Sequence, residues 1–134
     1  METQPISTGE NAFAKHDLYD LADLEMLSRN DDALMGNLLG ILVNMFTTEA
    51  DNICTLAAEN KWKEVAEVAH KLKASVTHIR AMDVRQNMID LEDYTGRSNE
   101  QLQKIADNAC KLLAEMRVYL QEDLDKFNAR KSAL

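Results

Sequence analysis

The sequence predicts an all-α fold, an antiparallel up-down four-helix bundle with a short extra helix on its N-terminal side. Three observations predict it. The only proline is Pro5, so residues 6–134 hold nothing that removes a backbone donor from a helix. Valine, isoleucine, threonine and aromatic residues are sparse, which leaves little material for a sheet. Apolar residues recur at three- and four-residue steps through most of the chain, the period of an amphipathic helix. Hydrophobic residues make up 46% of the 134, enough for the core of one domain and too many for wholesale disorder. The expected organisation is a flexible leader over 1–16, a helical domain over 17–128 and a frayed tail over 129–134.

Each element has its own signals. The leader METQPISTGENAFAKH is polar and carries Pro5 and Gly9. A short first helix from Asp17 to Ser28 spaces Leu18, Leu21, Leu24 and Leu27 three apart. Asn30-Asp31-Asp32 then supplies short acceptors for the free N–H groups of a helix start. The second helix, Asp32 to Glu59, places Leu34, Leu38, Ile41, Leu42, Met45, Phe46, Ile53 and Leu56 on one side, with Asn60 as its stop. Gly36 and Gly40 weaken it by about 1 kcal/mol each at most. The third helix, Lys61 to Ile79, steps Trp62, Val65, Ala69, Leu72, Val76 and Ile79 as a packing seam. The fourth, Met82 to Tyr94, turns Val84, Met88 and Leu91 inward and ends at Thr95-Gly96. Ser98 and Gln101 form a capping box for the last helix, which runs to Phe127 with Leu102, Ile105, Ala109, Leu112, Met116, Tyr119 and Leu120 as its stripe. Short turns make successive helices antiparallel.

Several function classes drop out. Net charge is −8, so a phosphate backbone finds no general attraction and nucleic acid is not an expected partner. Cys54 and Cys110 form no CxxC and have no histidines at zinc spacing; they read as two buried, reduced thiols on different helices. No apolar run approaches the ~20 residues of a membrane span. Met1–Lys15 has no apolar signal core, and a soluble, cytoplasmic protein is expected. GxGxxG, P-loop, HExxH and EF-hand patterns are missing, and no metal or cofactor is expected.

One constellation carries chemistry. On a helix, Lys73, Ala74 and Thr77 share a face with His70. The seam through Ala69 and Leu72 lies about 100° around, so His70 should stand at the seam's border, exposed. An imidazole is a nucleophile near neutral pH without heavy activation. Lys73 can set an ammonium against a phosphoryl oxygen, and Ala74 leaves room for a partner to approach. No carboxylate cluster for magnesium and no nucleotide cradle accompany them, so the site can hold a phosphoryl group but not cut one from ATP.

Ala69-His70-Lys71-Leu72-Lys73-Ala74-Ser75 resembles the AH-x-LKG-[SA] signature of histidine phosphotransfer (HPt) domains of two-component phosphorelays. Tyr19-Asp20-Leu21, the Asp31–Phe46 stretch, Asn60-Lys61-Trp62, and Ile79, Ala81, Leu91 and Glu92 also look like family positions, so the resemblance spans roughly 17–127. It implies a phosphocarrier rather than an enzyme. His70 would accept a phosphoryl group from a phospho-aspartate of one receiver domain and pass it to an aspartate of another, the receiver supplying the metal and most of the catalysis. Lys73 would orient the phosphate, and Ala74, Ser75, Thr77 and His78 would belong to the docking surface. The implied partners are response-regulator receivers and a hybrid sensor histidine kinase, with a monomer as the working unit. The chain departs from the family pattern at Ala74, where glycine is preferred, and at His78 and Arg80, where asparagine and glycine are frequent. Between Lys61 and Arg85 six basic residues meet three acidic ones, a local positive excess that would steer an acidic receiver pocket. The rival reading is a degenerate, non-phosphorylated helical module that only binds a kinase or receiver.

Overall fold

The computed structural model describes residues 18–133, with side chains through Arg130. Among these residues all regular structure is α-helical. The expected leader over 1–16, with Pro5 and His16, and Asp17 lie outside the described residues; the first helix, expected to run from Asp17 to Ser28, is interrupted over residues 19–21 and starts at Ala22, whose N–H is taken by the Asp20 carboxylate at 2.8 Å. Five helices follow in order: α1 (Ala22–Ser28), α2 (Asp32–Ala58), α3 (Trp62–His78), α4 (Met82–Glu92) and α5 (Asn99–Ala133). α5 packs along α2 and α3 along α4; α2–α3 and α4–α5 contacts join the pairs, and α1 rests on α2.

Phe46, Met35, Leu39 and Ile53 of α2, Val65 and Leu72 of α3, Met88 and Leu91 of α4, and Leu113, Met116 and Leu120 of α5 are fully buried. Burying each such side chain contributes about 1.5–3 kcal/mol before conformational entropy is counted. α2 is where the expected core differs most from the observed one. Its apolar run is wider than one helix face, and contact with α5 selects Met35, Leu39, Leu42 and Phe46 as the inward seam. Leu34 and Ile41, expected to point inward, are 41% and 65% exposed. Leu27 of α1 is likewise turned out, at 67%.

Local chemistry fixes the helix ends. Asp31 caps α2, its carboxylate accepting from the Ala33 and Leu34 N–H groups at 3.0 and 3.1 Å. Ser98 and Gln101 bond reciprocally, at 3.1 and 2.9 Å, to open α5. α2 and α3 both close with a left-handed residue, Asn60 and Arg80, followed by an N–H that reaches back to the helix: Lys61 to Leu56 O, and Ala81 to Val76 O. A left-handed φ is natural for asparagine and strained for arginine. Arg80 is held there by a two-point contact with Asp23 of α1, at 2.7 and 3.0 Å, which straps the α3–α4 turn to α1. Its guanidinium is therefore engaged with α1. α4 ends at Glu92, earlier than expected, and Gly96 with φ +87° serves the turn between Tyr94 and Arg97 instead of the helix end itself. α5 continues to Ala133, past the expected end at Phe127, so the tail expected to fray is helical.

Two tertiary links were not legible in the sequence. Cys54 and Cys110 are joined in a disulfide between α2 and α5, with Cα atoms 6.1 Å apart, which corrects the expectation of two reduced thiols. The spacing of two cysteines 56 residues apart says nothing about facing positions on two packed helices; only the pairing of α2 with α5 brings them together. Buried Tyr19 donates its hydroxyl to buried Asp123 of α5, closing the chain's entry against the last helix. Burial and the Asp123 carboxylate both push the Tyr19 phenol far above its usual range, so it stays a donor.

Candidate functional site

The packing of α3 decides where His70 points. Val65, Ala69, Leu72 and Val76 are buried, which leaves the His70 side chain on the outer surface at 70% exposure. α4 lies along α3 and ends at Glu92 beside the imidazole. The Glu92 carboxylate bonds two groups at once: Oε2 meets His70 Nδ1 at 2.5 Å, and Oε1 accepts from Lys73 Nζ at 2.7 Å. Lys73 first, then His70, holds the Glu92 carboxyl below the ordinary carboxylate range. Glu92 is therefore ionised at neutral pH and can only accept, so the shared proton belongs on Nδ1. In the neutral ring the lone pair then sits on Nε2.

The other predicted residues are placed as follows. Ala74 is exposed beside His70, as its spacing predicts. Thr77 is exposed but committed, its hydroxyl donating to Lys73 O at 2.7 Å and accepting from Arg85 Nε at 3.0 Å. Ser75 is turned away from His70 and donates to Met45 Sδ of α2 at 3.4 Å. His78 is exposed and, with Leu24, Leu27, Leu38, Ile41 and Leu42, lines an apolar groove of about 230 Å³. This groove joins α1 and α2 to the C-terminal half of α3. It continues a stretch, residues 33–48, without a single charged side chain in a chain that is 28% charged.

The local positive excess expected from the sequence is largely cancelled. Lys71 pairs with Glu49 at 3.3 Å, Lys73 with Glu92, Arg80 with Asp23, and Lys61 with Glu59 at 3.2 Å. Glu49, Asp23, Glu59 and Glu92 all lie outside the Lys61–Arg85 window, so counting along the chain overstated the field. Glu67 and His70 have the three-residue spacing of a helical metal-ligand pair, but both are exposed. No group of three or more His, Cys, Asp or Glu side chains among the described residues could hold a metal ion.

Sequence reasoning noted Glu92 only as a family-like position and missed its contacts, because 22 residues separate it from His70. The clue was present: a glutamate ending the helix that returns along α3. A larger cavity of about 580 Å³ lies beside Tyr19, Asp123, Lys126 and Arg130 at the α1 end. Tyr19 is there bonded to Asp123, and Arg130 reaches Asp32 at 3.4 Å. No family model, curated protein or solved structure matches the chain. No helix among the described residues is long and apolar enough to cross a membrane.

Proposed function

We propose that this chain is a histidine phosphotransfer protein whose four long helices form an up-down bundle carrying His70 as the phosphoacceptor. The observation that carries the reading is the exposed imidazole, with Nδ1 bound to an ionised Glu92 and Nε2 without a hydrogen-bond partner among the described residues. Nε2 attacks the phosphorus of a receiver's aspartyl phosphate; the N–P bond forms, the acyl P–O bond breaks, and the aspartate leaves as a carboxylate. The reverse step on a second receiver completes the relay. Glu92 keeps the proton on Nδ1 and balances the positive charge that develops on the ring. Lys73, half-buried and one turn on, swings from Glu92 to a phosphoryl oxygen once Nε2 is loaded.

The partners are receiver domains and a hybrid sensor kinase, met by a monomeric carrier that binds no nucleic acid and catalyses no reaction of its own. Ala74, Thr77, His78 and the uncharged α2 face next to them form the docking surface. One observation favours the rival reading of a binding-only module: the Lys73 ammonium is already occupied by Glu92. A single experiment separates the two. The chain is mixed with a panel of receiver domains phosphorylated by phosphoramidate and assayed for acid-labile label. Label on the wild type and none on His70→Gln supports the carrier; a chain that binds a receiver but takes no label is the binding module.

A further inference from the structure

We propose that Arg80 is a positioning residue for the docking surface: through its two-point contact with Asp23 it holds α1 against the end of α3, so that Leu24 and Leu27 wall the apolar groove beside His78. The inference rests on the phosphocarrier reading and says what shapes the surface its partner meets. On the N-terminal side of His70 lies a shallow depression where Lys63 and Lys71 are matched by Glu67 and Glu92, so its charges select no partner. The C-terminal side is different. Two turns on, about 12 Å along α3, His78 borders a groove otherwise made by Leu24 and Leu27 of α1 and Leu38, Ile41 and Leu42 of α2. Such a lining receives an apolar side chain of the protein that covers His70.

α1 cannot hold this wall by itself. It has 7 residues, too few for a helix to persist without tertiary support, and only Leu24 and Ser28 of them are buried. Among the described residues, Asp23 is the one α1 residue whose side chain makes a hydrogen bond or ion pair outside its own helix. Its carboxylate accepts from Arg80 Nη2 at 2.7 Å and Nε at 3.0 Å. Arg80 Nη1 also lies 3.7 Å from the Asp20 carboxylate, at the entry to α1. Leu27 stands one turn beyond Asp23 on the same face of α1, so the strap fixes a residue that borders the groove. The other end of the strap is anchored just past His78, where the Asp20 N–H also donates to Ile79 O at 2.8 Å. The backbone shows what this contact requires. Asn60 closes α2 with a left-handed turn that asparagine adopts readily, whereas Arg80 holds φ +53° against its own Cβ. Glycine would fit that turn without strain and would leave α1 untied. The strain at Arg80 therefore goes with a contact that only a long cationic side chain can make there.

The test reads the hold on α1 and the docking separately. Amide hydrogen exchange follows residues 22–28. Initial rates of transfer to His70 are measured against receiver concentration, with the panel member that labels the wild type fastest. Arg80→Gly suits the left-handed turn and should fold with an unfolding midpoint close to that of the wild type. Its α1 amides should exchange about tenfold faster, while those of Val65, Leu72 and Leu113 stay protected. Its half-saturating receiver concentration should rise about fivefold with the maximal rate unchanged, because the partner must then order α1 as it docks. Asp23→Asn should act in the same direction. Exchanging the pair, Arg80→Asp with Asp23→Arg, should move both readings back towards the wild type, since aspartate also tolerates the left-handed turn. Direct labelling of His70 by phosphoramidate should be equal in all of them. An Arg80→Gly protein with wild-type half-saturation, or one whose half-saturation rises without faster α1 exchange, overturns the proposal while leaving the carrier reading intact. A wild type that takes no label from any receiver overturns both.

Discussion

His70 and His78 stand two turns apart on one exposed helix, yet their surroundings have little in common. His70 is tied through Nδ1 to a carboxylate that also holds an ammonium, and polar side chains line the depression beside it. His78 borders an apolar groove made by leucines and Ile41, on the side where α2 carries no charge for sixteen residues. Helix position gives both rings access to solvent. What differs is the neighbouring helix: the end of α4 reaches one, and α1 with α2 the other. In the proposed phosphocarrier, reactivity belongs to the ring with a charged orienting partner, and docking to the ring set among apolar side chains.

That contrast can be broken or sharpened by four changes. The largest effect should fall on neither histidine. The Cys54–Cys110 bond closes a loop of 56 residues between α2 and α5, and its loss should lower stability by up to about 4 kcal/mol. Urea unfolding with and without reductant measures it; transfer to His70 below the unfolding midpoint should be unchanged, because neither cysteine is on α3 or α4. The second change is Glu92→Gln. It should slow transfer about tenfold by weakening the hold on Nδ1, while the ring resonances of His78 stay where they were. A wild-type rate in Glu92→Gln would mean that Glu92 is a surface ion pair and no more.

The pH dependence of Glu92 follows from the sign of its shift. Lys73 and His70 lower the folded value, so the stability these contacts add is present above the ordinary glutamate range and is lost as pH falls through the lowered value. From pH 5 to 8 Glu92 should stay charged, and the carboxyl carbon resonance of Glu92 should titrate only below the ordinary range. The third change is Ile41→Asp. An exposed position tolerates it within about 0.5 kcal/mol of stability, but a charge set into the apolar groove should raise the receiver concentration needed for transfer about fivefold. Equal half-saturation would remove the groove from the docking surface. The smallest effect is Lys73→Ala, worth about 1 kcal/mol of phosphate contact, or a roughly fivefold shorter phosphohistidine lifetime. It is read by the decay of labelled protein at constant pH.

Much of this was legible in the sequence because it is local. Asp31, Ser98 with Gln101, Asn60, and the α3 seam that turns His70 outward all act within a few residues of themselves. Local rules also overreached. The apolar run of α2 offered two possible inward faces, and only α5 decides that Leu39 and Phe46 go in while Leu34 and Ile41 stay out. The Lys61–Arg85 charge count was read along the chain, whereas Glu49 and Asp23 cancel it through space. Glu92 beside His70, Asp123 beside Tyr19 and Cys54 beside Cys110 are long-range pairs, and no spacing in a single chain reveals them. Arg80 is the instructive mixture: the family resemblance marked a position where glycine is frequent, and the structure shows a left-handed turn there with Asp23 as the contact that holds arginine in it.

The central claim is that His70 receives the phosphoryl group on Nε2 because Glu92 holds Nδ1. The most direct measurement is phosphorus and nitrogen NMR of protein labelled by a phosphorylated receiver, using histidine enriched in ¹⁵N. One phosphohistidine is expected, at His70, with phosphorus bonded to Nε2 and a proton on Nδ1 facing Glu92. Phosphorus on Nδ1, or on His78 or His16, would contradict it.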